Sequence, residues 1–375
     1  MRRKAQVDLE TELGVEALSR WFPEGWREKC RELGAFRRAR EIKSELDLVR
    51  LLFAYVILRK SFPELALWAQ DRGIADLKFP SLWERFARSL EFLRWLLDRL
   101  LVRVAPSPGA GVFVPLDATT FSLPGSTKRD WLVHAAWAEG GFRILKLSPA
   151  TGPGNGESLR HFEELPAGAV ALADRAYGTP PQLARWTALG KSYICRFTWN
   201  NLPLYNDREG REPLDPQHWL AERPPGAPCE CWAWVRPRRD PPFRVRAVVV
   251  RLDPAHAETN RRKARQLSTR KRHTPRPATL FLAQFVTLVT NLEEQELDAR
   301  AICEAYRWRW QIELAFKRFK SSTLIRRLVN QKPEMVRVYL YAALCLWLLT
   351  ERMAHDSAFF PWGCPLAGGD ETGAG

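Results

Sequence analysis

Across the first hundred residues the apolar positions recur three and four apart, the spacing that lines one face of a helix. Helices are expected over Glu45 to Lys60, Pro63 to Arg72, Pro80 to Ser89 and Phe92 to Val104, with Gly73 and Pro80 as punctuation. Past Pro106 the period changes. Gly111 to Asp117, Trp131 to Ala138 and Phe142 to Ser148 are short β-branched or aromatic runs parted by glycine and polar turns, which predicts three strands in an antiparallel meander. Glu157 to Leu165 then reads as a helix, Ala169 to Ala173 as a buried strand, Pro180 to Leu189 as a helix and Tyr193 to Phe197 as a fifth strand. Tyr306 to Lys320 reads as one helix, with Ala305, Trp308, Ile312, Phe316 and Phe319 as the stripe that faces a core. The apolar runs Leu48 to Leu58 and Val338 to Leu349 fall short of the roughly 20 residues a membrane helix requires, and read as buried helices.

Three antiparallel strands followed by helix, strand, helix and strand give an α/β fold, a mixed sheet with helices on its faces. That order is the ribonuclease H-like arrangement. The chain then divides into a helical, candidate DNA-binding domain (1–105), the first part of a ribonuclease H-like domain (106–199), a mainly β insertion (200–284), the remainder of the domain with a C-terminal helix (285–354), and a flexible tail (355–375) rich in Gly and Pro. The two short helices on either side of Gly73 to Phe79 suit a helix-turn-helix-like unit, with Ser81, Arg85 and Arg88 facing phosphate. A plain helical bundle suits them equally. Residues 1–4 form a short basic tip.

The acids take their meaning from those elements. Asp117 ends the first strand in Val-Pro-Leu-Asp117-Ala-Thr119, and Asp174 ends the fourth in Ala-Leu-Ala-Asp174-Arg-Ala-Tyr177. In a ribonuclease H-like sheet these strands are neighbours, so the two carboxylates approach each other. On the later helix, steps of three, four and seven residues bring Tyr306, Arg309, Glu313 and Lys320 within roughly 60° of one another, with Lys317 close by. A carboxylate for a divalent cation, flanked by cations for phosphate oxygens, is what cleavage of a nucleic-acid backbone needs. Either aspartate alone reads as well as a turn or cap residue, and the helix as a solvated face with an Arg309–Glu313 pair. Taken together, Asp117, Asp174 and Glu313 form a hard-oxygen donor set suited to two magnesium ions, with manganese as a substitute. His134, on a predicted strand, reads as a packed or hydrogen-bonded residue.

Composition agrees. The chain has 375 residues, 46% of them hydrophobic, and a formal net charge of +15, which implies a polyanionic partner, most commonly nucleic acid. Its seven cysteines are scattered, with one C-x-C and no C-x-x-C, so a reduced cytoplasmic protein without structural zinc is expected. The stretch between Asp174 and Glu313 is far longer than one strand and one helix need. From Asn200 to about Gln284 it holds strand-like runs at Cys231 to Val235 and Phe243 to Leu252. Its run of cations, Arg261, Arg262, Lys263, Arg265, Arg270, Lys271, Arg272 and Arg276, has Leu267 as its single large apolar residue and cannot enter a core. It is either solvated and disordered or a strip for the DNA backbone.

The pattern Tyr306-x2-Arg309-x3-Glu313-x6-Lys320 resembles the signature of the insertion-sequence-four (IS4) family of DDE transposases. Asp117-Ala-Thr119, Asp174-Arg-Ala-Tyr177 and Thr290-Asn291-Leu292 are similar to that family's other blocks, and the resemblance runs from about Leu51 to Leu349. It implies a metal-dependent transposase with Asp117, Asp174 and Glu313 as catalytic metal ligands, and Tyr306, Arg309 and Lys320 as DNA contacts. It also implies a cut-and-paste pathway through an optional DNA hairpin. The partners would be double-stranded DNA, as terminal inverted repeats and target, and a second copy of the chain on that DNA. The family's insertion takes up a displaced base on aromatic side chains, for which Trp199, Trp232 and Trp234 are candidates. A ribonuclease H-like nuclease or resolvase that cuts without joining, and a non-catalytic DNA-binding derivative, are the competing readings.

Overall fold

The computed structural model describes residues 15–101, 112–138, 141–152, 156–270, 272–323, 325 and 328–355. The expected basic tip, the tail beyond residue 355, Lys271 and Cys364 lie outside them. In chain order come α1 (Val15–Leu18), α2 (Trp26–Glu32), α3 (Glu45–Leu58), α4 (Phe62–Asp71), α5 (Phe79–Arg88) and α6 (Leu90–Leu100). Then follow β1 (Phe113–Phe121), β2 (Trp131–Ala138), β3 (Gly141–Pro149), β4 (Val170–Ala173), α7 (Pro180–Ala188), β5 (Ser192–Arg196), α8 (Pro216–Leu220), β6 (Pro228–Val235) and β7 (Phe243–Arg251). The last are α9 (Pro254–Arg270), α10 (Pro277–Leu282), β8 (Phe285–Thr290), α11 (Ala299–Arg307), α12 (Trp310–Ser322) and α13 (Pro333–His355). Two compact units result, one formed by residues up to Leu101 together with those from Phe319 onward, the other by the residues between.

In the helical unit local signals and packing agree. Ser44 caps α3 by accepting the Asp47 N–H at 3.1 Å, and α4 opens on a capping box in which Glu64 accepts the Ser61 N–H at 2.9 Å. Helix α13 is long and apolar enough by composition to cross a membrane, yet it is largely buried among the helices of its own unit. The pair α4 and α5 forms as expected, but Arg85 is tied to Glu41 and Arg88 to Glu84, each at 3.3 Å, so two of the three side chains assigned to phosphate already have partners.

The second unit is built on an eight-stranded sheet in the order β3-β2-β1-β4-β5-β8-β7-β6. β1 pairs antiparallel with β2 and parallel with β4, and β4 parallel with β5, as the sequence led us to expect. Beyond β5 the pairings are antiparallel. The strands of the insertion are thus no separate layer: β7 and β6 continue the sheet through β8. The insertion is also less β-rich than expected, because α8, α9 and α10 lie within it. The helix expected over Glu157 to Leu165 is only a 3₁₀ turn, Leu159–Phe162. Its Leu159 N–H goes to the Gln182 side chain at 2.7 Å.

One buried charge joins the insertion to what comes after it. Arg246 on β7 is 1% exposed. Its Nε donates to Glu230 at 2.9 Å, and its two Nη atoms donate to the carbonyls of Leu292 at 3.0 Å and Leu297 at 2.7 Å, in the loop that leads into α11.

Candidate active site

The site begins where the parallel pairing of β1 with β4 stops. That pairing runs Phe113 to Val170, Val114 to Ala171 and Pro115 to Leu172, and two further steps in register bring Asp117 level with Asp174. Side chains alternate across a strand, so both acids share the sheet face of Phe113, Val170 and Leu172. That face is covered by Ile302, Ala305 and Tyr306 of α11. Asp117 is therefore not the end of its strand, as expected: β1 continues with β2 to Phe121. It is the point at which β1 parts from β4, and such openings at the carboxyl ends of parallel strands are where α/β sheets bind ligands.

Helix α11 starts on Asp298, whose carboxylate accepts the Ala301 N–H at 2.7 Å. Near its end the Tyr306 hydroxyl donates to the carbonyl of Ala173, the residue before Asp174, at 3.3 Å. The helix then stops. The amides of Trp308 and Arg309 turn back to Ala305 and Tyr306 over three residues, at 3.0 and 3.1 Å, before α12 begins at Trp310. The single helix expected from Tyr306 to Lys320 is thus two. Ala305, Ile312, Phe316 and Phe319 are buried as expected, but Trp308 falls in the break and is 60% exposed.

The break aims Arg309 at the sheet. Its side chain is 15% exposed; Nη1 lies 4.0 Å from Oδ2 of Asp117, Nη2 donates to Oε1 of Glu313, and the guanidinium carbon is 5.8 Å from the Tyr306 ring centre. Burial pushes the Asp117 carboxyl up to about 6; the Ala118 amide and Arg309 pull it down, while Glu313 and Glu157 push it up. Burial works against the charge on Arg309, but Tyr306, Glu313 and Asp174 outweigh it and hold its pKa above the ordinary value. Burial raises the hydroxyl of Tyr306 and the thiol of Cys195, which donates to the Asp174 carbonyl at 3.5 Å.

Two participants escaped the sequence reading. Glu157, half-buried and raised by burial, lies within electrostatic reach of Asp174 and Asp117, with Arg129 as the opposing charge. Tyr177 is fully buried, and its hydroxyl, within electrostatic reach of Asp117, Glu157 and Asp174, has no hydrogen-bond partner. Only its place in the fold distinguishes Glu157, since nothing in Gly156-Glu157-Ser158 marks a site. Among the described residues no three His, Cys, Asp or Glu side chains converge closely enough to hold a metal as they stand. The donors nevertheless suit a hard divalent cation. They are carboxylates within electrostatic reach of one another at one sheet end, one of them pushed up by burial, with an orphaned hydroxyl in the same field.

Residues 108–349 match the family model described as Transposase DDE domain. The chain belongs to the DDE transposase family. Similar proteins include the "Putative transposase InsL for insertion sequence element IS186A" of Escherichia coli K12, 29% identical over 357 residues, and the "Transposase for insertion sequence element IS421" of Escherichia coli, 29% identical over 358 residues. Each match covers 93% of this chain and 95% of the relative.

Other residues of this DDE-family chain sort into built and loose. Thr290-Asn291-Leu292 is a staple: Thr290 donates to the Tyr193 carbonyl at 2.6 Å, while Asn291 accepts the Tyr193 N–H at 3.1 Å and donates to the Lys191 carbonyl at 3.0 Å. His134 bonds Ser148 at 2.8 Å and stacks on His161, ring centres 3.7 Å apart, the packed role expected of it. Trp199 is partly buried, packing edge-on against Phe197 and Trp219 at the margin of the core. Trp232 and Trp234 each lie under an arginine, Arg244 and Arg208. The basic run is ordered rather than disordered, since α9 spans most of it. Arg261 and Arg265 share Glu258, at 3.3 and 2.8 Å. Arg262, Lys263 and Arg270 have no side-chain partner among the described residues. Arg272 caps the region in the left-handed conformation, φ 56°. Lys317 is exposed one turn beyond Glu313, and Lys320 lies further along α12.

Proposed function

We propose that the chain is the transposase of an insertion sequence, which cleaves phosphodiester bonds at the ends of its element and joins the freed 3′ ends to target DNA. The observation that carries this is the parallel register of β1 on β4, which, continued two steps past Pro115 and Leu172, sets Asp117 against Asp174, with Arg309 between Asp117 and Glu313. The sheet from β3 to β5 is read as ribonuclease H-like. Asp117, Asp174 and Glu313 would hold the divalent cations, two magnesium ions, for which manganese would substitute. The chemistry such cations would supply there is polarisation of the phosphoryl oxygens and a better nucleophile in water or a 3′ hydroxyl. Arg309 presents a planar fork to the phosphate next to the break, and leaves Glu313 for it when DNA enters. Tyr306 fixes the β4 end and backs the guanidinium; Lys317 and Lys320 continue the phosphate path along α12. Helix α9, with Arg262, Lys263 and Arg270 outward, follows the DNA backbone. Two copies of the chain on DNA bring two ends together, in the bacterial cytoplasm.

The test is strand cleavage and joining by purified protein on a labelled fragment carrying its own terminal inverted repeat, with magnesium or EDTA. Metal-dependent cutting followed by joined products is the expected result. Cutting without joining under every condition selects a nuclease; binding without cutting under magnesium and manganese selects a non-catalytic derivative.

A further inference from the structure

The acids at the sheet end divide into two pairs. Asp117 and Glu313 are both held by Arg309. Asp174 and Glu157 are held less closely: among the described residues neither carboxylate makes a hydrogen bond or an ion pair, and while Arg309 and Arg129 oppose their charges from further off, the charge of Asp174 makes that of Glu157 costlier to hold. Two neighbouring carboxylates, one of them half-buried, repel unless a cation lies between them.

Their proximity is built in. Gln182 of α7 accepts the Leu159 N–H at 2.7 Å and donates to the Ala176 carbonyl at 3.2 Å. It therefore clamps the segment two residues after Glu157 to the turn two residues after Asp174. The Trp186 indole adds a bond to the Leu159 carbonyl at 3.2 Å. A second, independent sign is Tyr177, fully buried, whose hydroxyl has no hydrogen-bond partner and lies within electrostatic reach of Asp117, Glu157 and Asp174. A buried hydroxyl without a partner forfeits about 1–3 kcal/mol, a loss that persists only where something else meets it.

We propose that Glu157 is a fourth carboxylate of the active site, that it and Asp174 together hold one divalent cation, and that the Tyr177 hydroxyl supplies a hydrogen bond into the same space. This rests on the transposase reading of the site and extends it.

The test is manganese binding to full-length protein, followed by calorimetry and by electron paramagnetic resonance, beside cleavage of an element end. Glu157→Gln is expected to weaken one manganese site by about 10- to 100-fold and to slow cleavage, while its thermal melt without metal stays cooperative. Adding Asp174→Asn to it costs little more manganese affinity, because both changes remove the same site. Glu157→Asp, which keeps the charge at shorter reach, falls between wild type and Glu157→Gln. Should Glu157→Gln bind manganese and cut like wild type while Asp117→Asn cuts nothing, Glu157 is no ligand and the three-acid site stands. If Asp117→Asn also cuts like wild type, the active-site reading itself is wrong.

Discussion

Arg309 and the outward cations of α9 are the same chemistry in opposite settings. Arg309 is nearly buried, touches two carboxylates and lies against an aromatic ring, so its fork has one direction before any substrate arrives. Arg262, Lys263 and Arg270 are exposed, with no side-chain partner among the described residues. A fixed group in a poorly hydrated site stabilises charge at one place and spends no reorganisation doing so. Mobile surface cations bind a polyanion by releasing its counterions, strongly at low salt and without regard to sequence. Positive charge alone therefore does not define a catalytic region; what separates the two is how firmly neighbouring groups constrain each cation.

Changes on the constrained side carry the largest effects. Asp117→Asn or Glu313→Gln should lower the rate of end cleavage by roughly 10³-fold or more with DNA affinity nearly unchanged; a loss below tenfold in either would remove that residue from the metal set. Arg309→Lys keeps the charge but not the fork, and about a 10²-fold loss of cleavage is expected. If lysine supports full activity, the constraint on Arg309 is irrelevant and the contrast with α9 collapses. On the loose side, replacing Arg262, Lys263 and Arg270 together with Gln should weaken DNA binding and flatten the plot of log affinity against log salt by about 0.9 for every phosphate the protein no longer neutralises. The rate of cleavage of saturating DNA stays the same. Arg265→Gln, whose guanidinium is already shared with Glu258, should change that slope least.

A smaller effect reads the burial of Asp117 directly. Its folded pKa, about 6, lies above the roughly 3.9 of an unfolded aspartate, so the native state holds the proton more tightly. The stabilisation this brings is complete below about pH 4 and is lost as pH rises through about 6. The melting temperature of metal-free wild type, measured relative to Asp117→Asn, should fall over that window, and magnesium at neutral pH should restore it. A flat difference between the two proteins would mean that Asp117 is solvated.

Much of the sheet was legible because its strands are short, β-branched and bounded by turns, and β2 was placed to the residue. The acids were legible for the same reason, since they follow apolar runs. The break after Arg307 was not, because Trp308 and Arg309 are neither Gly nor Pro, and helical spacing continues through them. Helix α9 was missed because charge surrounds it almost completely, leaving Ala257 and Ser268 as its buried positions, too little for a periodic stripe. The joining of β6 and β7 to the main sheet depends on pairing across many residues, for which a strand's own sequence carries no mark. Glu157 stayed hidden because the acids its charge meets come from β1 and the turn after β4, neither of them near it in the chain.

Arg246 sets limits on how this protein can change length over generations. The segment from 200 to 284 looks like a cassette that a lineage could gain or drop, but the guanidinium it carries is a donor to the Leu292 and Leu297 carbonyls, and β7 covers the flank of β8. Excision as a block would strip both at once, and a chimera built with a relative's segment would need an arginine of its own at this register. Additions and losses of chain can accumulate instead at the exposed junction of α9 with α10, where no strand depends on the count of residues.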